Sequence, residues 1–351
     1  MDNKIKDICN NIIKDLNNAN ESFRNKTVLI TGANGLIGGF LADYFNTLNE
    51  NGFNVNLILT SKSKFEDAFR VKHLIKKPNI SYLSLDLSED FSLTYFYKNK
   101  VDYCFYCAGY AQPSKFLKGA FTTLNLNSHG LQRILKVMHL INPKLKSVFL
   151  SSSEIYANNS TEGSHKETSP LLIDLNNKRT PYIIGKISGE SIINEFREMG
   201  YDTKSIRISL CYGPGVGKDD GRVMSELTRK GIKQDEINLF DDGSATRRYI
   251  HISDCCKMMI NILLKGEEPV YNVGGNKEIT ILEMALIIGD YFNKPIKKGP
   301  NQNLVSTSAP KKVWVSMDRY IEEFGEINLI PFQEGLVNFI EWYKTKLYES
   351  T

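Results

Sequence analysis

No run of apolar residues approaches the roughly 18 that a membrane-crossing helix needs. The opening stretch, Met1-Asp-Asn-Lys-Ile-Lys-Asp7, also lacks the apolar segment of a secretion signal, so a cytoplasmic protein off the membrane is expected. Neither charge sign prevails: 44 basic residues face 40 acidic ones and leave +4. Because the Lys and Arg residues are scattered and not gathered on one segment, nucleic acid is excluded as the primary partner, whereas a small anionic ligand suits the mildly basic surface. Cysteine is sparse as well. Cys9, Cys104, Cys107, Cys211, Cys255 and Cys256 form no regular disulfide framework. Cys104-Phe-Tyr-Cys107 has the spacing of half a zinc site, yet it lies in an apolar run with no second Cys/His pair, so buried free thiols and no metal are expected. Repeats and low-complexity tracts are absent.

What is present is enough chain, 351 residues, to bury a large core as one big domain or two unequal ones. Ile5, Ile8, Ile12, Ile13 and Leu16 recur at helical spacing, which predicts an amphipathic helix within residues 1–24, packed on the body or on a partner subunit. Strand-like and helical segments then alternate: Thr27–Thr31, Leu36–Leu48, Val55–Thr60, Ile80–Leu85, Val101–Ala108, a long helix around Phe116–Leu140, and Ser147–Ser151. This βαβ rhythm predicts an α/β fold with a Rossmann-type doubly wound parallel sheet over residues 25–210. A helix from Tyr182 to Met199 and a strand Thr203–Ser209 continue it. Beyond Tyr212-Gly-Pro-Gly215 the pattern is mixed, which predicts a smaller α/β substrate lobe over 211–351 that returns some segments to the first domain. Ala157–Thr180 and Lys298–Pro310 read as loops, the first folding over the substrate mouth.

Three motifs carry chemistry. Thr31-Gly-Ala-Asn-Gly-Leu-Ile-Gly38 follows an apolar strand and opens a helix, the context in which Gly32, Gly35 and Gly38 let the backbone approach a pyrophosphate at a helix N-terminus. Asn34, Leu36 and Ile37 belong to the same loop. The following strand lacks the acidic residue that binds a ribose 2′-hydroxyl and ends in Ser61-Lys62, which either accept the 2′-phosphate of NADP or form an exposed loop. Asp86 and Leu87 are candidate adenine contacts, and Ala108 and Gly109 are placed beside the cofactor. Tyr182 and Lys186 sit four apart, one helical turn, so the ammonium is expected to favour the phenolate and fit the phenol for proton exchange with a sugar hydroxyl. Ser152, at a strand end, completes a Ser, Tyr, Lys set.

On these residues the chain resembles the extended short-chain dehydrogenase/reductase family of nucleotide-sugar epimerases, dehydratases and decarboxylases over residues 26–345. Thr31–Gly38 is similar to the family's TGxxGxxG, Ser151–Tyr156 to its strand-end serine motif, Tyr182–Lys186 to YxxxK, Tyr212-Gly-Pro214 to its YGP turn and Tyr271–Gly275 to a C-terminal motif. The resemblance implies that NAD(P)+, by family habit NAD+, removes hydride from the sugar 4-position. Tyr182 would take the proton, Ser152 would hydrogen-bond the oxygen, and Lys186 would lower the Tyr182 pKa and hold the nicotinamide ribose. Asn127 falls where the family keeps an active-site Asn; by itself it reads equally as a polar helix residue.

Within the family, Ser153-Glu154 replaces the Asp-Glu with which 4,6-dehydratases expel water and is similar to the UDP-glucuronate decarboxylases, with Glu154 assisting loss of the carboxylate. Arg222 and Arg247 are candidates for the substrate diphosphate, against surface ion pairing as the alternative. His251 reads as a packed structural histidine. The implied partner is a nucleoside-diphosphate sugar, and the helices around 116–140 and 182–199 occupy the positions of a two-fold interface, so a homodimer is expected. Epimerisation and dehydration remain open, as does a non-catalytic cofactor-binding sensor on the same fold.

Overall fold

The computed structural model describes residues 1–157, 159, 163–299 and 313–347. In chain order the first half comprises α1 (Asn3–Leu16), β1 (Thr27–Thr31), α2 (Leu36–Glu50), β2 (Asn56–Ser61), β3 (Ile80–Ser84), α3 (Thr94–Lys98), β4 (Tyr103–Tyr106), α4 (Pro113–Phe116), α5 (Ala120–Asn127), α6 (His129–Ile141) and β5 (Lys146–Ser152). There follow α7 (Thr180–Glu198), β6 (Asp202–Ile208), β7 (Leu210–Tyr212), α8 (Val223–Lys233), β8 (Ile237–Asn238), β9 (Thr246–His251), α9 (Ile252–Lys265), β10 (Val270–Val273), β11 (Glu278–Thr280), α10 (Ile281–Phe292), β12 (Ile296–Lys297), α11 (Asp318–Phe324) and α12 (Phe332–Leu347).

Seven strands form one sheet in the order β10-β6-β5-β4-β1-β2-β3, and every pairing in it is parallel. A parallel sheet needs cover on both faces, and the strands are accordingly apolar on both. Val28 and Ile30 of β1 enter the core formed with α2 and α9, whereas Leu29 between them enters the core formed with α6. A shift of one residue would exchange these faces. The strand order reverses between β1 and β4, so the crevice beyond their C-terminal ends is the place where a doubly wound fold holds a ligand.

Helix α1 covers this sheet's outer layer. The Asp2 carboxylate accepts from the Ile5 amide, 3.2 Å, and caps it. Ile5, Cys9, Ile12 and Leu16 are buried against α2 and α9, so the helix packs on the body of the molecule. Strand β10 and helix α9 also return to the main sheet from the C-terminal half. The remaining strands make a three-stranded sheet, β11-β9-β7, and the short pair β12-β8.

The predicted helix around 116–140 is divided into α4, α5 and α6. Gly119 precedes α5, and at Ser128 the backbone departs from helical geometry (φ −113°, ψ −79°). The break allows α6 to start against the neighbouring turn: a Cβ on Gly130 would lie 2.1 Å from the Leu87 carbonyl oxygen. The described part of the 157–180 loop is pinned: the His165 amide donates to Trp314 (2.7 Å), and the Glu167 carbonyl accepts from Arg207 (2.8 Å). Most of the second expected loop, 298–310, lies outside the described residues.

Candidate active site

The glycine loop owes its shape to close approach. Gly32 has φ +65°, and a Cβ there would lie 2.8 Å from both Ala108 Cα and the Cys107 carbonyl oxygen. Gly38 admits no Cβ either, since one would come within 2.6 Å of the Gly32 carbonyl oxygen. The turns after β1 and β4 are tied directly, the Ala108 amide donating to Thr31 Oγ1 at 3.0 Å. The amides at the start of α2 thus face the crevice at the switch point, as a pyrophosphate site requires.

Asn34 braces the loop from the side. Its amide nitrogen donates to Ser63 Oγ (3.0 Å), and its Oδ1 accepts from the Arg70 amide (2.9 Å). Lys62 contacts the Tyr110 hydroxyl, and Ser61 Oγ accepts from the Ser63 amide at 3.3 Å. Asp86 is partly committed, because one carboxylate oxygen accepts from both the amide and the hydroxyl of Ser88. Leu87 is buried, while Leu36 and Ile37 pack against the core with their amides at the helix start.

Helix α7 brings the catalytic set to the same crevice. Pro181 is tolerated in its first turn, where no amide donor is needed, and this places Tyr182 at the helix entrance and Lys186 one turn deeper. Ser152 lies near enough to the Tyr182 phenol to lower its pKa, and its Oγ accepts from the Glu154 amide at 3.2 Å. Lys186 Nζ donates to the Leu150 carbonyl at 2.6 Å, lies 5.8 Å from the Tyr182 ring centroid, and would lie 3.2 Å from a Cβ on Gly109. Asn127 points to the same place: its Nδ2 donates to the Thr123 carbonyl, while its Oδ1, buried and without a partner among the described residues, lies 4.0 Å from that Cβ position. Ser152, Tyr182, Lys186, Asn127, Gly109 and the glycine loop are therefore one site.

Burial is the largest influence on the Tyr182 phenol. Burial pushes the phenol well above its usual value and the Glu154 charge adds to this; Ser152 and Arg179 oppose it. Lys186 is itself pushed down to about 7 by burial, with the Cys107 and Glu190 charges opposing. A group so lowered is a weak electrostatic support for a phenolate, and its ammonium is directed at a carbonyl, not at the phenol. One turn beyond it, Glu190 accepts from Ser151 Oγ and forms a fork with Arg207, Nη2 to Oε2 at 2.7 Å, so β5 and α7 are locked together beneath the catalytic residues.

Two residues that the sequence did not single out border the phenol. The Phe116 ring stacks on Tyr182, 4.5 Å between centroids and 16° between planes, and the Arg179 guanidinium lies 4.9 Å above Phe116. Arg179 pairs with Glu154 through Nε (3.1 Å) and Nη2. Arg179, three residues before Tyr182, was readable as a cation beside the site; Phe116, sixty-six residues away, left no local signal. Ser153 is buried beside Ser152 and offers no carboxylate.

A third residue that the sequence did not single out is Tyr249: burial pushes its hydroxyl up to about 12 against the charges of Arg247 and Arg222, and among the described residues that hydroxyl has no hydrogen-bond partner. Arg222 is paired in a fork with Asp220, Nη2 to Oδ2 at 2.6 Å, and Arg247 Nη1 donates to the Thr246 carbonyl. His251 is buried, caps α9 by accepting from the Ser253 amide, and is lowered to about 4 by burial, which suits a packed histidine. Cys104 is buried and Cys107 half-buried, both as free thiols.

Fold and glycine loop together are those of a dinucleotide-dependent enzyme. A family model described as the NAD dependent epimerase/dehydratase family matches residues 28–274, and the chain belongs to that family. It is similar to a dTDP-4-dehydro-6-deoxy-D-allose reductase of Streptomyces bikiniensis, with 25% identity over 91% of this chain and 96% of the relative. UDP-glucuronic acid decarboxylase 1 of Arabidopsis thaliana is 22% identical over 91% of this chain and 70% of its own length. Among solved structures, UDP-glucuronic acid 4-epimerase from Bacillus cereus, in complex with UDP-glucuronic acid and NAD, superposes with a TM-score of 0.76 at 18% identity, covering 91% of this chain and 99% of that one.

The site fits a nicotinamide dinucleotide on this chain's own features. The glycine cradle would be filled by any Cβ, and a buried Asn127 Oδ1, without a partner among the described residues, faces Lys186 across Gly109. Gly32, Gly35 and Gly38 would hold the pyrophosphate, and Lys186 and Gly109 would border the nicotinamide end.

Proposed function

We propose that the protein removes the carboxyl group of a nucleoside-diphosphate uronic acid through transient oxidation at the sugar 4-position. The observation that carries the reading is the placing of Lys186 5.8 Å from the Tyr182 ring centroid, with the Glu154–Arg179 pair at the entrance of the same helix where a dehydratase would need an acid at Ser153. A dinucleotide held by Gly32, Gly35 and Gly38 and bordered by Lys186 would supply a reversible hydride acceptor for sugar C4. Tyr182, ionised against its burial with help from the positive charge of a bound nicotinamide, would take the hydroxyl proton while Ser152 donates to the same oxygen, so that C4 reaches the carbonyl level. The carboxylate on the adjacent carbon then leaves as carbon dioxide, its bonding electrons pass to the 4-oxygen, and a proton is restored at C5. Ser153 argues against the dehydratase branch, since a hydroxyl is a poor acid for expelling water.

Arg222, Arg247 and Tyr249 suit the diphosphate, a guanidinium fork matching phosphate oxygens. The strand end at Ser61 and Lys62 has no carboxylate to receive a 2′-hydroxyl, which supports use of NADP as well as NAD. Thermal shifts by NAD+ and NADP+ test this: Lys62→Glu should weaken the NADP+ shift alone. Phe121 of α5, 84% exposed, together with exposed Leu117 supports cover by a second copy, which light scattering would register as a dimer.

Incubation with UDP-glucuronate and with UDP-, dTDP-, GDP- and CDP-hexoses, followed by mass spectrometry, tests the function. Loss of carbon dioxide from UDP-glucuronate is expected. Loss of water or unchanged mass with inverted stereochemistry would reassign the reaction, and no turnover of any of them would remove the proposal.

A further inference from the structure

We infer that Arg179 is the group that recognises the sugar carboxylate, holding it beside Tyr182 and selecting uronic acids over neutral hexoses; this rests on the function proposed above. Arg179 is 4% exposed, and a guanidinium so deeply placed requires an anionic partner. In this structure the partner is a carboxylate, Glu154, received on Nε and Nη2 in the planar fork that only a carboxylate or phosphate fills well. Arg179 Nη1 makes no hydrogen bond among the described residues, so the fork retains donors for a second acceptor.

The location singles out the sugar and not some other part of the ligand. Arg179 stacks on Phe116, and Phe116 on Tyr182, so the three groups form one layered wall at the entrance of α7. The Arg179 backbone is fixed there by its amide donating to Asn177 Oδ1 at 3.0 Å and by its carbonyl accepting from Tyr182, 3.0 Å. That stacking places the Arg179–Glu154 pair one ring away from the Tyr182 phenol and so near the carbon that Tyr182 serves. The carboxyl group of a uronic acid is borne on the carbon next to that one. A second carboxylate arriving at Glu154 would be repelled unless one guanidinium bridged both; a neutral hydroxymethyl group gains little from the same fork.

The test is calorimetric binding of UDP-glucuronate and UDP-glucose to the wild type, Arg179→Gln and Glu154→Gln, with NADH in place of NAD+ so that neither sugar is oxidised. The wild type should prefer the uronate. Arg179→Gln should lose about tenfold to a hundredfold in uronate affinity, the range of a charged hydrogen bond, with UDP-glucose affinity kept. Glu154→Gln releases the fork and should tighten uronate binding alone, which decides the matter even where Arg179→Gln does not fold. Equal weakening of both sugars in Arg179→Gln, or unchanged uronate affinity in Glu154→Gln, would overturn the role. A wild type that prefers the uronate, loses that preference in Arg179→Gln and releases no carbon dioxide would refute the proposed function and uphold Arg179; carbon dioxide release with no uronate preference would do the reverse.

Discussion

Tyr182 and Lys186 show how far residue spacing determines chemistry. Four residues on a helix do place both side chains in one crevice, but burial dominates: it raises the phenol and lowers the lysine to about 7. The linkage sign follows from that value. In the unfolded chain Lys186 titrates near 10.5, so between pH 7 and about 10.5 the unfolded state binds a proton that the folded state does not, and stability rises with pH across this window. The penalty is complete below pH 7. Lys186→Met removes it, so the variant's advantage in Tm over the wild type should be largest near pH 6 and shrink toward pH 10; a pH-independent difference would refute the burial argument. Ser152, Tyr182, Lys186 and the glycines were legible in the sequence because each is fixed by a local motif. Phe116, Arg179 and Tyr249 reach the site through tertiary packing, which spacing along the chain does not encode.

At the scale of elements, the parallel strands were legible because both faces are buried, making each strand an almost unbroken apolar run. The division of the 116–140 segment was not, since the apolar spacing passes across Ser128 and the break answers to the Leu87 carbonyl, forty residues earlier. The loop into α2 is equally specific. Gly38→Ala places a methyl 2.6 Å from the Gly32 carbonyl oxygen and should abolish the thermal shift by NAD+ while leaving much of the fold intact. Retention of the shift would contradict the assignment of this loop. Helix α1 contributes to stability by burial: Ile12, 1% exposed against α2 and α9, should lose about 2–5 kcal/mol on Ile12→Ala, read by denaturant unfolding. A cost near zero would mean that α1 is not part of the cooperative unit.

In the proposed function the two halves of the chain have separate duties: the doubly wound half would hold the cofactor at the glycine loop and act through Ser152, Tyr182 and Lys186, and the C-terminal half would bind the diphosphate through Arg222, Arg247 and Tyr249. A nucleotide sugar bridging these groups would place its sugar at Tyr182 and its phosphates at the arginines, and Arg179 would then choose among sugars. The central claim is that the Tyr182 phenol initiates oxidation at sugar C4. Turnover of UDP-glucuronate carrying deuterium at C4, by wild type and by Tyr182→Phe, tests it most directly. Wild type should release carbon dioxide with the deuterium still at C4 of the product and turn over more slowly than with the unlabelled sugar, and Tyr182→Phe should be slower by about a hundredfold to ten-thousandfold. Carbon dioxide release at the full rate by Tyr182→Phe, with no slowing by deuterium in the wild type, would contradict it.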